Sequence, residues 1–263
     1  MPRTTASPRF RIPALAATAA LALGALACGA TSASAAPATP PPAATAASPS
    51  ADAAATPQVI PNSFTKTSQG GPRTVDITID DGPSPEWTPQ VLKVLHDNGA
   101  HATFCMIGNN AKKYPSLVKE VAEAGNRLCD HSVDHDMTMD HKSVAYQQGE
   151  ILGGENSIDA AAGGVAKAQY YRAPGGAFTP ASRAFAASHG LRPLGWNVDP
   201  KDWSRPGTDQ IVSAVKEQLG NGPVVLFHDG GGNRSETVAA LTQLLPWFTQ
   251  HGYGFSFPST TAP

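Results

Sequence analysis

Residues 74–83 read Thr74-Val75-Asp76-Ile77-Thr78-Ile79-Asp80-Asp81-Gly82-Pro83. From Thr74 to Ile79 apolar and polar side chains alternate, which is the period of a β-strand. Two adjacent carboxylates and an Asp-Gly-Pro turn follow at once. A turn accounts for Asp81 but not for a second acid, Asp80, just before it on the strand. Adjacent residues at a strand end point in different directions. One carboxylate can then bind a metal ion while its neighbour faces the water beside that ion.

Outward from this stretch, β-rich runs alternate with helical patterns. Thr88-Pro89 reads as an N-cap followed by proline at the first helical position. Val91, Leu92, Val94 and Leu95 give that helix an apolar side, and Gly99 stops it. Residues 101–107 read as a strand, 115–125 as a helix, 127–129 as a short strand, and about 143–162 as a Gly-interrupted helix. The rhythm resumes with a strand at Ala168–Tyr171, a helix capped by Thr179 and stopped at Gly190, and a strand at Pro193–Val198. A helix capped by Thr208, a buried strand at Pro223–Phe227, a helix capped by Ser235 and a last strand at Tyr253–Phe257 complete it. About seven β/α units in succession predict an α/β fold of parallel strands with helices outside, a barrel or barrel-like sheet.

Polar clusters fall just after these strands: Asp80-Asp81, residues 130–135 (DHSVDH), 172–176 (RAPGG), 199–203 (DPKDW) and His228-Asp229. In a barrel of parallel strands such positions converge on the C-terminal face, where active sites lie. The His131-x3-His135 spacing places two imidazoles on one side of a helical turn. Two imidazoles and one carboxylate suit a borderline divalent cation, zinc above all. Beside such a site His228 is a candidate general acid, Asp202 a carboxylate that holds it, and Arg172 a partner for whichever Asp is not on the metal. His96, His101, His189 and His251 read as structural or surface residues, and Asp136, Asp140 and His141 as a solvated loop.

The chain resembles the polysaccharide deacetylases, the NodB-homology domains of carbohydrate esterase family 4. TIDDGP at 78–83 resembles their TFDDGP motif, and HSVDH at 131–135 their H-[ST]-x-x-H. RAPGG at 172–176 is similar to R-x-P-x-G, DPKDW at 199–203 to D-x-x-D-W, and LFHD at 226–229 to L-x-H-D. The five stand in the family's order and span nearly the whole folded part.

The resemblance implies a distorted (β/α) barrel with about seven parallel strands, and a divalent metal, zinc foremost with cobalt or nickel as substitutes, on Asp81, His131 and His135. It implies Asp80 as general base tuned by Arg172, and His228 as general acid tuned by Asp202. Trp203 and Leu226 would hold the acetyl methyl, and the backbone N–H of Gly175 would stabilise the oxyanion. The implied partner is an acetylated polysaccharide: an N-acetylglucosamine polymer such as chitin oligomers or peptidoglycan, with O-acetylxylan as the alternative. Three departures stand out. Ile79 replaces a common Phe. Cys129-Asp130 stands where Gly-Asn is common, which makes the metal turn more acidic. Gly175 stands where many members carry an aromatic residue.

Two other classes fit less well. A facial-triad iron oxygenase shares the two-His, one-carboxylate set, but the α/β rhythm and the second acid at Asp80 argue against it. A catalytically inactive glycan-binding module would be expected to have lost a ligand, the base or the acid; Asp80, Asp81, His131, His135 and His228 all stand.

Composition and cysteine usage agree with an exported domain, and the chain is expected to act as a monomer. Charged residues make up 15% of the 263 residues. Three of the 19 Lys/Arg and one of the 21 Asp/Glu lie in residues 1–60, leaving 16 against 20. Such an acidic domain lacks the basic stripe that nucleic-acid binding needs. Arg3, Arg9 and Arg11, an apolar run over 13–27 and Ala33-Ser34-Ala35 read as a secretory signal over 1–35. The run is shorter than the ~20 residues of a membrane span. Cys28, in Ala25-Leu26-Ala27-Cys28, offers lipid anchoring as the alternative. Residues 36–62 are Ala/Pro-rich and read as a disordered linker, and 63–263 as the catalytic domain. Cys105 and Cys129 read as a buried pair, bridged or free.

Overall fold

The computed structural model describes residues 59–262; the export signal and most of the linker inferred above lie outside them. In chain order the elements are β1 (Thr74–Asp80), α1 (Thr88–Asp97), β2 (Ala102–Met106), α2 (Gly108–Lys113), α3 (Pro115–Glu123), β3 (Arg127–Asp130), α4 (Val144–Ala162), β4 (Ala168–Tyr171), α5 (Pro180–Ser188), β5 (Arg192–Pro193), α6 (Thr208–Gln218), β6 (Val224–His228), α7 (Ser235–Gln250) and β7 (Gly254–Phe255). The strands run in the order β5-β4-β3-β2-β1-β6, and every neighbouring pair is parallel.

The sheet curls until its edges meet. Past β5 the chain reaches β6, where Leu226 N–H donates to Val198 O at 3.0 Å and Asn197 N–H to Val224 O at 2.9 Å. The strand expected over 193–198 is therefore split: Pro193, together with Arg192 before it, pairs with β4, and Val198 bridges β6. β7 pairs with Thr74 and Val75, residues of β1 that precede its pairing with β2. This is the α/β distorted barrel that the sequence predicts.

Parallel strands are usually apolar on both faces. β1 alternates because its two faces meet different surroundings, both dry. Val75, Ile77 and Ile79 join the large core formed with Val91 and Leu95 of α1 and Leu241, Leu244 and Phe248 of α7. The intervening Asp76, Thr78 and Asp80 are buried too, but their partners are polar. Ser68 Oγ donates to Asp76, and Arg172 donates to both Thr78 and Asp80. A second apolar cluster joins Cys105, Cys129, Tyr170, Leu194 and Val224. Cys105 and Cys129 are register partners on β2 and β3 and form a disulfide.

Helix starts differ from expectation in an informative way. Thr179 caps α5 through a reciprocal capping box with Ser182, and Ser143 caps α4. Thr88, Thr208 and Ser235 are instead the first helical residues. The Thr88 hydroxyl is buried and committed elsewhere, accepting from Ser84 N–H and donating to Asp229 Oδ2 at 2.6 Å. The short α2 was not anticipated. The chain before β1 is also tied down: Thr65 bridges Leu194, Arg192 donates to Pro61 O and Arg183 to Asn62 O.

The disulfide closes a loop with a sequence separation of 24, for which chain-entropy arguments give about 3 kcal/mol. Replacing both cysteines by alanine is therefore expected to lower unfolding free energy by roughly that amount, read from urea denaturation of oxidised wild type against the double variant.

Candidate active site

The ends of β1, β3, β4 and β6 surround a cleft of about 440 Å³ lined by Asp80, Asp81, His131, His135, Arg172, Gly175, Trp203, Leu226 and His228, among others. All the residues singled out from sequence converge there except Asp202, which lies behind His228.

The metal-ligand candidates come from two loops. Asp81 follows β1 with a positive φ of 76°, a conformation that costs non-glycine residues about 1–3 kcal/mol and persists only where the surroundings enforce it. Its backbone is held by Asp81 N–H to Cys105 O and by Asn110 Nδ2 to Asp81 O. His131 and His135 do not lie on a helical turn, contrary to the spacing argument. Ser132 and His135 both take positive φ, 65° each, and this irregular loop brings the rings to 5.0 Å between centroids. Asp130 supports the loop by accepting Ser132 N–H at 3.0 Å. Space for that carboxylate comes from Gly154 in α4, where a Cβ would lie 2.0 Å from Asp130 Oδ1. The glycine that interrupts the helical pattern is thus a packing requirement of the loop. Burial pushes the Asp130 carboxyl well above its usual range, with Glu155, Glu150 and Asp159 adding to the effect. Burial thus opposes the added negative charge that sequence suggested.

Among the described residues, Asp81, His131 and His135 form a group whose ligand atoms lie within 4.8 Å of one another. Asp81 Oδ1 is buried and has no hydrogen-bond partner. It stands 3.2 Å from His135 Nε2 and 3.5 Å from His131 Nε2. His131 Nδ1 lies 2.7 Å from Arg172 O; as the donor to that carbonyl it leaves the Nε2 lone pair free for a cation. Burial opposes ionisation of Asp81, but the two imidazoles outweigh it and hold the carboxyl well below its usual range. An orphaned carboxylate oxygen facing two imidazole nitrogens fits a borderline divalent cation.

On either side stand an acid and a histidine with contrasting partners. Asp80 and His228 are register neighbours on β1 and β6. Asp80 Oδ1 accepts from Arg172 Nη1 at 2.6 Å, and Oδ2 lies 3.6 Å from His131 Nε2. Arg172 also donates to Thr78 Oγ1, Leu194 O and Gly195 O and lies over the Trp196 ring, 5.5 Å from its centroid. His228 Nδ1 lies 2.7 Å from Asp202 Oδ1, while Asp202 Oδ2 accepts from His228 N–H and Thr237 Oγ1. Burial disfavours the imidazolium, but Asp202, with Asp80 and Asp81 adding to it, prevails and raises the His228 pKa to about 9.

Several contributors were not legible in sequence. Thr237 and Arg234, which donates to Asp202 O, support Asp202 from beyond the DPKDW run. Asp229, though quoted within LFHD, was given no role. It is fully buried on Thr88 and pushed up to about 7 by burial, with Asp81 and Asp80 adding to it. Met137, Trp196 and Asp199 complete the cleft wall. Trp203, expected at the acetyl methyl, is 51% exposed at the rim, whereas Leu226 is buried.

Comparison with known proteins places this geometry in context. The family model described as polysaccharide deacetylase matches residues 67–194. The chain is 38% identical over 183 residues to a peptidoglycan-N-acetylglucosamine deacetylase of Bacillus cereus, covering 69% of this chain and 84% of that protein. It is 35% identical over 194 residues to a chitooligosaccharide deacetylase of a Bradyrhizobium species, covering 70% and 88%. A crystal structure of a peptidoglycan N-acetylglucosamine deacetylase superposes with a TM-score of 0.69 at 26% identity, covering 76% of this chain and 95% of that one.

The His228–Asp202 pair has a measurable signature. In metal-free protein His228 is expected to titrate near pH 9, and Asp202→Asn to return it toward the ordinary value of about 6.5, read by NMR of the imidazole Cε1–H. Because the folded pKa is raised, the pair's stabilisation is complete below about pH 6.5 and is lost as pH rises through 9. A wild-type unfolding free energy flat across that window, or a slope unchanged in D202N, would contradict the assignment.

Proposed function

Because the chain belongs to the polysaccharide deacetylase family, we propose that it is an exported, metal-dependent enzyme that removes acetyl groups from N-acetylglucosamine units of a polysaccharide. The observation that carries this reading is the buried, unpartnered Asp81 Oδ1 facing His131 and His135, with Asp80 and His228 on adjacent strands beside it. The named activities of the relatives, on peptidoglycan and chitooligosaccharide, support the substrate class.

Asp81, His131 and His135 would hold the divalent metal, zinc by the chemistry of the donor set. Such an ion polarises the acetyl carbonyl and acidifies water at neutral pH. The chain's own groups do the rest. Asp80, oriented by Arg172, takes the proton of the attacking water. The Gly175 N–H donates to the developing oxyanion. His228, carrying a proton at neutral pH and fixed in its tautomer by Asp202, delivers it to the departing amine. Leu226, with Trp203 at the rim, contacts the acetyl methyl. The products are acetate and a free amino sugar, with no covalent enzyme intermediate.

Export accords with the rest of the reading. Residues 1–35 would be removed as a signal, 36–62 would be left as an N-terminal linker, and 63–263 would carry the activity. The Cys105–Cys129 disulfide is of the kind that persists in oxidising compartments.

The test is acetate release by protein stripped of metal and reloaded with zinc, on N-acetylglucosamine oligomers, peptidoglycan and acetylxylan in parallel. Zinc-restored release from the first two supports the proposal; release from acetylxylan alone, or from none with zinc bound, overturns it. Asp80→Asn and His228→Ala are each expected to lower kcat by about 10²–10⁴-fold. Zinc affinity, measured by calorimetry, should survive in both and fall steeply in His131→Ala.

A further inference from the structure

A second depression of about 280 Å³ adjoins the catalytic cleft, lined by Phe64, Lys66, Gly176, Phe178, Gly195 and Trp196. Gly176 and Trp196 also line the catalytic cleft, so the two depressions adjoin at these residues. Its wall is aromatic. Phe64 packs edge-on against Phe178 at 4.7 Å and, though large and apolar, is 41% exposed. Aromatic rings with one open side suit the apolar face of a sugar ring.

The depression is also charged. Lys66 is the one ionisable residue among its six lining residues. It forms no ion pair among the described residues. Its stem crosses Gly195, where a Cβ would lie 2.7 Å from Lys66 Cε, so a side chain at 195 would displace the lysine. Arg183 adds a second cation beside it, its guanidinium 4.8 Å from the centroid of the Phe64 ring. The segment that carries Phe64 and Lys66 is anchored to the barrel, because Thr65 is buried and bridges Leu194. The backbone that carries the lysine is thus held beside the site.

We propose that this depression is a subsite for a neighbouring residue of the glycan, and that Lys66 pairs there with a carboxylate carried by that residue. The ligand class is an anionic glycan, in which sugars bearing a carboxylate alternate with N-acetylglucosamine. Two sources supply that carboxylate in a cell-wall glycan: a lactyl ether on the sugar, or a peptide attached to it. A neutral homopolymer of N-acetylglucosamine would fill the subsite without engaging the lysine. The inference rests on the deacetylase reading above and goes beyond it in choosing among its substrates.

The experiment compares zinc-loaded full chain with Lys66→Gln and Lys66→Glu on three tetrasaccharides of equal length. One is neutral chitotetraose, one carries free lactyl carboxylates, and one carries stem peptides on the lactyl groups. Lys66→Gln is expected to lower kcat/KM on at least one carboxylated substrate roughly two- to five-fold more than on chitotetraose, the range of an exposed ion pair. The change should lie in KM rather than kcat, and Lys66→Glu should enlarge it. Whichever carboxylated substrate responds identifies the source. An equal change on all three substrates, or none, overturns the subsite proposal while leaving the deacetylase reading intact. Failure of wild type on all three overturns both.

Discussion

The guanidinium of Arg172 lies inside the barrel with 1% exposure, and a buried cation of this kind is tolerable only when paired and hydrogen-bonded. Asp80 supplies the charge, and Thr78, Leu194 O and Gly195 O take the remaining donors. The same residue's carbonyl receives His131 Nδ1. One side chain and one carbonyl therefore connect β1, β4, the segment after β5 and the loop that carries His131 and His135. Removing one member of such a pair leaves an uncompensated buried charge, at a cost of about 3–5 kcal/mol. The inward face of β1 is polar for this reason, and β1 alternates where a purely structural parallel strand would not.

From that pair the different surroundings of Asp80 and His228 follow. They are neighbours on adjacent strands and could simply have paired with each other. Instead each is claimed from its other side, Asp80 by Arg172 and His228 by Asp202. A cation thus stands beside Asp80 and an anion beside His228, as the proposed roles of proton acceptor and proton donor require. The supports behind them, Thr237 and Arg234 on Asp202 and Thr88 on Asp229, come from the starts of α7 and α1 and fix the first ring of side chains from outside.

Much of this was legible in the chain. Strand ends were readable because apolar runs stop abruptly at acids and histidines, and five such stops in succession can only converge in a parallel barrel. Where sequence reasoning failed, the cause was a contact distant in sequence. His131 and His135 look helical by spacing, but Asp130 and the gap at Gly154 impose a loop with two positive-φ residues. Thr88 looks like a cap, but Asp229, 141 residues later, takes its hydroxyl. Asp130 looks like an added negative charge, but full burial pushes its carboxyl well above the usual range. Lys66 looks like any surface lysine until Phe64, Phe178 and Trp196 are gathered around it.

By itself the sequence determined the repeating β/α order, the chemistry of the donor groups and their positions at strand ends, because hydrophobic period and residue type are local properties. Only the tertiary structure decided which acid faces the imidazoles and which faces the arginine, where the barrel closes and which charges survive burial. Those outcomes depend on the distance between groups far apart in the chain and on the water excluded around them, and neither quantity exists before the chain has folded.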